Sequence, residues 1–136
     1  MSNGNVSEES VVSTLHHALR AARRRAVIVM LVDDPDWSVS VRELAKQIAA
    51  REENVPLEEA TGEPYRNVYN ALSQTHLPML SDADIIIYDS DRQVVTPGKQ
   101  ISAAKMLVAL GPPVVQTLLP ELSPDPMSFD RQSTIE

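Results

Sequence analysis

The sequence predicts an α+β fold that is mainly α, a winged helix-turn-helix with an added C-terminal dimerisation helix. Apolar residues recur at helical spacing in three successive stretches, over roughly residues 10–30, 41–53 and 64–84. A β-branched run with turn residues at its centre follows at about residues 85–96, and a further helical stretch, at about residues 98–110, has almost no polar face. Three helices followed by a hairpin is the order in which the third helix enters the major groove of DNA and the hairpin, the wing, reaches the backbone.

Composition limits the rest. At 136 residues and 43% hydrophobic, the chain suits one domain with a modest core. We divide it into a disordered N-terminus at residues 1–9, a winged helix-turn-helix domain at 10–97, C-terminal dimerisation helices at 98–119 and a disordered acidic tail at 120–136. Cysteine is absent, which excludes disulfides, thiolate zinc sites and a Cys nucleophile. There is no basic, apolar N-terminal signal, and the most apolar run, Met106 to Leu119, is short and broken by Gly111, Pro112 and Pro113. The expectation is a soluble, cytoplasmic protein with no membrane partner.

The net charge of −7 is unusual for a nucleic-acid binder. Residues 1–50 carry as many basic as acidic groups, so the surplus lies wholly in residues 51–136. Only three of the twelve cations are Lys, which together with the acidic surplus suggests solubility in concentrated salt. The charge then reflects the solvent more than the partner.

In chain order, Ser7 followed by Glu8 and Glu9 reads as an N-cap with acids in the first turn. Val11, Val12, Leu15, Ala18 and Leu19, then Ala22, Ala26, Val29 and Met30, form two apolar sets with no Gly or Pro between them, so one helix and two are both open. Arg23, Arg24 and Arg25 at the junction spread over more than half the helix circumference. They fit structural ion pairing as well as a phosphate contact. Asp33, Asp34, Pro35 and Asp36 end the segment. A short strand at 39–41 follows, with Ser40 capping the next helix and Glu43 completing a capping box. Leu44, Ala45 and Ile48 face inward there, and Arg42, Lys46 and Gln47 outward. A loop rich in carboxylates, Glu58, Glu59 and Glu63, leads on.

The stretch from Pro64 to Asp84 organises the rest. At 100° per residue, Tyr65, Tyr69, Leu72, His76 and Leu80 share one side, and Asn67, Asn70, Gln74 and Ser81 the other. A solvated helix face usually carries Glu and Lys, whereas Asn and Gln can donate and accept together at an adenine edge. An ordinary amphipathic helix with a polar outside fits the same pattern. Ile85 to Tyr88 and Val94 to Thr96 then read as the two strands of a hairpin, with a tip at Ser90 to Gln93 whose one cation is Arg92.

The segments Arg23-Arg24-Arg25-Ala26-Val27, Ser40 to Ala49 (SVRELAKQIA), Val68 to Leu80 (VYNALSQTHLPML) and Ile86-Ile87-Tyr88-Asp89 resemble the small winged-helix domain of uncharacterised function found in halophilic archaea, broadly similar to the ArsR-like regulators. The resemblance covers roughly residues 15–97, and Thr75-His76-Leu77-Pro78 is its most specific run. It implies transcriptional regulation in a salt-rich cytoplasm and a recognition helix running through Pro78, with Gln74 and Thr75 near DNA and His76 and Leu77 packed inward. Two departures stand out. Ala21 and Ala22 replace a Ser-Asn cap before the Arg run, which allows the first helix to continue, and Asp84 stands where a Gly is usual after the recognition helix.

In the last helical stretch, Ile101, Ala104, Met106, Leu107, Val108 and Leu110 are the expected dimerisation residues, because a helix apolar all round needs burial on two sides. Complete burial within one chain is the alternative. Catalytic chemistry finds no support: His16 and His17 are adjacent and share no helix face, and zinc spacing, a Gly-rich phosphate loop and a serine elbow are all absent. The expectation is no enzyme, no metal and no cofactor. The leading reading is a homodimeric, sequence-specific regulator of double-stranded DNA. In it Asn67, Asn70, Gln74 and Thr75 contact bases, and Arg42, Lys46, Arg66 and Arg92 hold phosphates. A winged-helix module that docks a protein partner without binding DNA is the alternative. A sensor with an effector beneath the dimerisation helices is a third reading.

Overall fold

The computed structural model describes residues 8–111, with side chains from residue 11 onward. The architecture is α+β and mainly helical: α1 (Glu8–Ala18), α2 (Ala22–Met30), β1 (Val39–Ser40), α3 (Val41–Glu53), α4 (Gly62–Ala71), α5 (Leu77–Asp82), β2 (Ile86–Asp89), β3 (Val94–Pro97) and α6 (Ile101–Leu110). The strands form one antiparallel sheet in the order β1-β3-β2, with Val39 opposite Val95 and Tyr88 opposite Val95 on its other side. This arrangement is consistent with a winged helix. The core lies where α2, α3, α4 and α5 meet the sheet, with Ile28, Leu44, Leu72, Leu77, Leu80 and Ile85 fully buried. No described helix is long and apolar enough to cross a membrane.

The first helical stretch is two helices. Ala21 is extended (φ −93°, ψ 133°) and provides no side-chain cap for α2. The break holds because the arginines of α2 reach back over the end of α1. Arg24 Nε donates to Ala18 O at 2.7 Å and Nη2 to His17 O at 3.3 Å, while Arg25 Nη1 donates to Leu19 O at 2.7 Å and Arg20 O at 3.0 Å. His17 O also accepts from Arg20 N–H at 3.2 Å, but among the described residues the carbonyls of Ala18, Leu19 and Arg20 accept no backbone N–H and lie at the negative end of the helix dipole, so two guanidinium groups do the work usually left to a C-terminal glycine. Arg23 pairs with Glu52 through two bonds of 2.7 Å. All three members of the triplet are thus engaged inside the chain.

Helix α3 starts as expected, with Ser40 Oγ accepting from Glu43 N at 3.0 Å. The capping box is only half made, since the Glu43 carboxylate accepts instead from Gln47 Nε2 at 2.6 Å. Asn54 ends the helix in the left-handed region (φ 57°). Several expected boundaries shift by one to three residues. The third helical segment runs from Gly62 to Asp82, the hairpin strands begin at Ile86 and end at Pro97, and α6 begins at Ile101. α1 already includes Glu8 and Glu9, so the expected disordered start at residues 1–9 is too long by these two residues. Ser7, the tail and Val114 to Leu119 lie outside the described residues.

Asp84 adopts φ 63°, the left-handed turn for which Gly is usual. The turn is closed from the far side of the hairpin by Gly98, whose N–H donates to Ile85 O at 2.9 Å while Gln100 N–H donates to Asp84 O at 2.8 Å. A Cβ on Gly98 would lie 2.6 Å from Asp84 O. Backbone meets backbone here, and only glycine fits.

α6 packs on α2 through Ile101 and Ala104, which are 2% and 0% exposed. Their place in the expected dimer interface is therefore corrected: the fold of a single chain already buries them. Lys105 Nζ caps the end of α2, donating to the carbonyls of Ile28, Val29 and Leu31. Leu107 and Val108 are half-buried, and Met106 (60%) and Leu110 (49%) project outward.

Candidate nucleic-acid interface

The amide-rich face of α4 and of the turn that follows it is outward-facing. Arg66, Asn67, Asn70, Gln74 and Thr75 are all exposed, and Val68, Leu72, Leu77 and Leu80 are buried behind them. The buried residues are spaced four, five and three apart, and the five-residue step is a π-helical turn at Leu72–His76 that joins α4 to α5. In it the Leu77 N–H bonds to Leu72 O. Pro78 gives the reason. Its ring would collide with the carbonyl of Gln74 in a regular helix and it has no N–H to offer, so the helix widens ahead of it. The wider turn holds Gln74 and Thr75 outside and puts Leu77 fully in the core. Two positions differ from the uniform 100° reading: Val68, not counted among the inward residues, is 1% exposed, and Ser81, placed outside, is half-buried.

His76 lies at the end of the π turn, half-buried, with its Nδ1 3.2 Å from Arg24 Nη1. Arginine can only donate, so Nδ1 accepts and the ring proton sits on Nε2. Arg24 is 7% exposed and donates to two carbonyls and this ring, with no carboxylate among its acceptors. Burial, then Arg20 and Arg25, lowers the Arg24 pKa. Burial, then Arg24 and Arg23, lowers that of His76. The site therefore favours a neutral imidazole.

An open groove of about 500 Å³ runs between the start of α3 and the start of α4, lined by Ser40, Arg42, Glu43, Lys46, Ala60, Thr61, Gly62 and Tyr65. Both helices open on it with their positive ends, and Thr61 places no side-chain bond on the first turn of α4. Among the described residues, the side chains of Arg42, Lys46, Arg66, Asn67, Asn70, Gln74, Thr75 and Arg92 have no hydrogen-bond or ion-pair partner. They are available to a ligand. Three carboxylates, Glu58, Glu59 and Glu63, are exposed at the same end of α4.

The hairpin tip bears Arg92. Asp89 Oδ1 accepts from the N–H groups of Asp91 and Arg92, each at 3.1 Å, which turns the chain. At its base, Gln93 (φ 56°) was not singled out in the sequence, yet its side-chain amide is satisfied on both ends. Oε1 accepts from Tyr69 Oη at 2.7 Å and Ser73 Oγ at 3.1 Å, and Nε2 donates to Tyr88 Oη at 2.8 Å and Ser90 O at 2.9 Å. Local sequence does not signal this, because Tyr69 and Ser73 lie 24 and 20 residues back, while Tyr88 and Ser90 belong to the same hairpin. No group of three or more His, Asp or Glu among the described residues is placed to hold a metal ion.

A family model matches residues 16–96, more than half of the chain. The chain belongs to the family described as Domain of unknown function (DUF7344). No curated protein and no solved structure matches it. The DUF7344 segment runs from the end of α1 through β3, so it contains the amide face, the groove and the hairpin tip, and it stops short of α6. The family's description names no activity, no source and no kinship to ArsR-like regulators.

Proposed function

We propose that this DUF7344 protein is a sequence-specific DNA-binding transcriptional regulator that acts as a homodimer in a high-salt cytoplasm, with the haloarchaeal, ArsR-like kinship read from the sequence as part of the same proposal. The observation that carries it is the row Asn67, Asn70, Gln74 and Thr75, exposed and unpartnered on one face. Asn and Gln each pair bidentately with adenine N6 and N7, and the Thr methyl suits the thymine methyl. Arg42 and Lys46 hold phosphates along the groove, Arg66 holds one from the exposed side of α4, and Arg92 at the wing tip holds one beyond.

Concentrated salt sharpens this division. Each phosphate contact loses about one decade of affinity per decade of salt, so a protein working near molar salt relies on direct base contacts. Four cations and four base readers suit that regime better than a broad basic surface. Met106 and Leu110, outward on α6, support the proposed dimer, in which two reading helices about 34 Å apart would meet a palindrome.

One observation favours the second reading, a module that docks a protein. Glu58, Glu59 and Glu63 repel phosphates at the end of α4 that would enter the groove. Asn70→Ala combined with Gln74→Ala separates the two readings. A regulator loses its sequence preference with its unfolding midpoint unchanged, since both side chains are exposed and unbonded. A docking module has no sequence preference to lose.

A further inference from the structure

We propose that Gln93 is a positioning residue that locks the wing to the reading helix, so that Arg92 is held at a fixed offset from Asn70 and Gln74. The inference rests on the DNA-binding reading above and extends it to the element that sets the geometry between the two contact sites.

The geometry is specific. Tyr69 and Ser73 lie on α4 and its π turn and both donate to Oε1, while Ser90, across the hairpin tip, accepts from Nε2. A peptide carbonyl can only accept, so the amide cannot be reversed without losing that bond and facing two hydroxyls with its NH₂. The Gln93 carbonyl accepts in turn from Val41 N–H at 3.0 Å, tying the base of the wing to the start of α3. One residue therefore joins the wing, the reading helix and the rim of the groove. It does so from φ 56°, where a non-glycine residue is strained. Glycine would relieve the strain and remove all four side-chain bonds. A residue kept there only to make the turn gains nothing from being glutamine.

Gln93→Gly is the discriminating variant, since its backbone suits the observed turn. Its binding to an operator selected by the wild-type protein is measured over a range of potassium chloride, alone and with Arg92→Ala. In the wild-type background Arg92→Ala lowers the slope of log K against log salt by about one, the value of one phosphate contact. The proposal expects Gln93→Gly to lower the slope by the same amount, Arg92→Ala to add nothing further, and the base preferences at Asn70 and Gln74 to stay as they were. Amide exchange at Asp91 and Arg92 in the DNA-free protein should rise roughly tenfold. A full Arg92 effect surviving in Gln93→Gly overturns the positioning role while leaving the DNA reading intact, as does unchanged exchange at the tip. A wild-type protein that selects no sequence overturns both.

Discussion

Arg24 donates to His76 across 3.2 Å, and this one bond joins the start of α2 to the turn on which Gln74 and Thr75 are displayed. The ring accepts only while Nδ1 is unprotonated, and protonation would set two cations face to face in a half-buried site. Burial and the neighbouring Arg24 and Arg23 lower the His76 pKa in the fold below its ordinary value of 6.5. A lowered folded value means that the unfolded chain takes up the proton first as pH falls. The stability tied to a neutral His76 is therefore fully present above pH 6.5 and is lost as pH falls from there through the lowered folded value. Denaturant midpoints of wild type and His76→Gln, compared from pH 7.5 to 5, should converge as pH falls. Parallel curves would show that His76 is not the group responsible.

The Arg triplet should act on stability through different members to different extents. Arg24→Met removes bonds to two helix-end carbonyls and to His76 from a buried position, and should cost about 2–3 kcal/mol. Arg23→Ala breaks a pair whose side chains are 31% and 38% exposed, and should cost no more than about 1 kcal/mol. Urea unfolding of the two variants checks the ranking, and equal losses would contradict the capping role assigned to Arg24.

At the wing's origin, Asp84→Gly should stabilise the fold by about 0.5–1 kcal/mol, because Asp84 holds a left-handed φ of 63° that glycine adopts freely. Gly98→Ala should do the opposite and more strongly. Its Cβ would fall 2.6 Å from a backbone oxygen that cannot move aside, and a loss above roughly 2 kcal/mol is expected. Thermal melts of the pair test the opposed signs.

The sequence made much of this legible and left specific parts hidden. Helix and hairpin order followed from periodicity, and the Ser40 cap from a local motif whose donor is three residues away. The left-handed turn at Asp84 was signalled only by the family resemblance, in which Gly is usual at that position. The break between α1 and α2 did not, because Arg24 and Arg25 enforce it from the next helix where Gly or Pro would have announced it. Uniform stepping missed Val68 and misplaced Ser81, although Pro78 was the available signal for a widened turn. Ile101 and Ala104 were assigned to a dimer because apolar periodicity cannot tell burial within a chain from burial between chains. Gln93 was invisible because its four side-chain bonds reach back up to 24 residues.

For the proposed base readers, the fold supports independent removal. Asn70→Ala with Gln74→Ala takes away no internal bond, so the melting temperature should hold within about 2 °C while discrimination falls by roughly 1–3 kcal/mol for each base pair no longer read. Binding to an operator and its single-base variants measures this. Retained preferences would remove α4 from the reader's role.

The most direct measurement of the central claim is selection of fragmented genomic DNA by the purified protein at high potassium chloride, with the retained fragments sequenced. The account predicts enrichment of a palindromic motif whose half-sites are about one helical turn apart, centre to centre. A folded, dimeric protein that enriches no motif across a range of salt would contradict it and leave the exposed face of α4 to a protein partner.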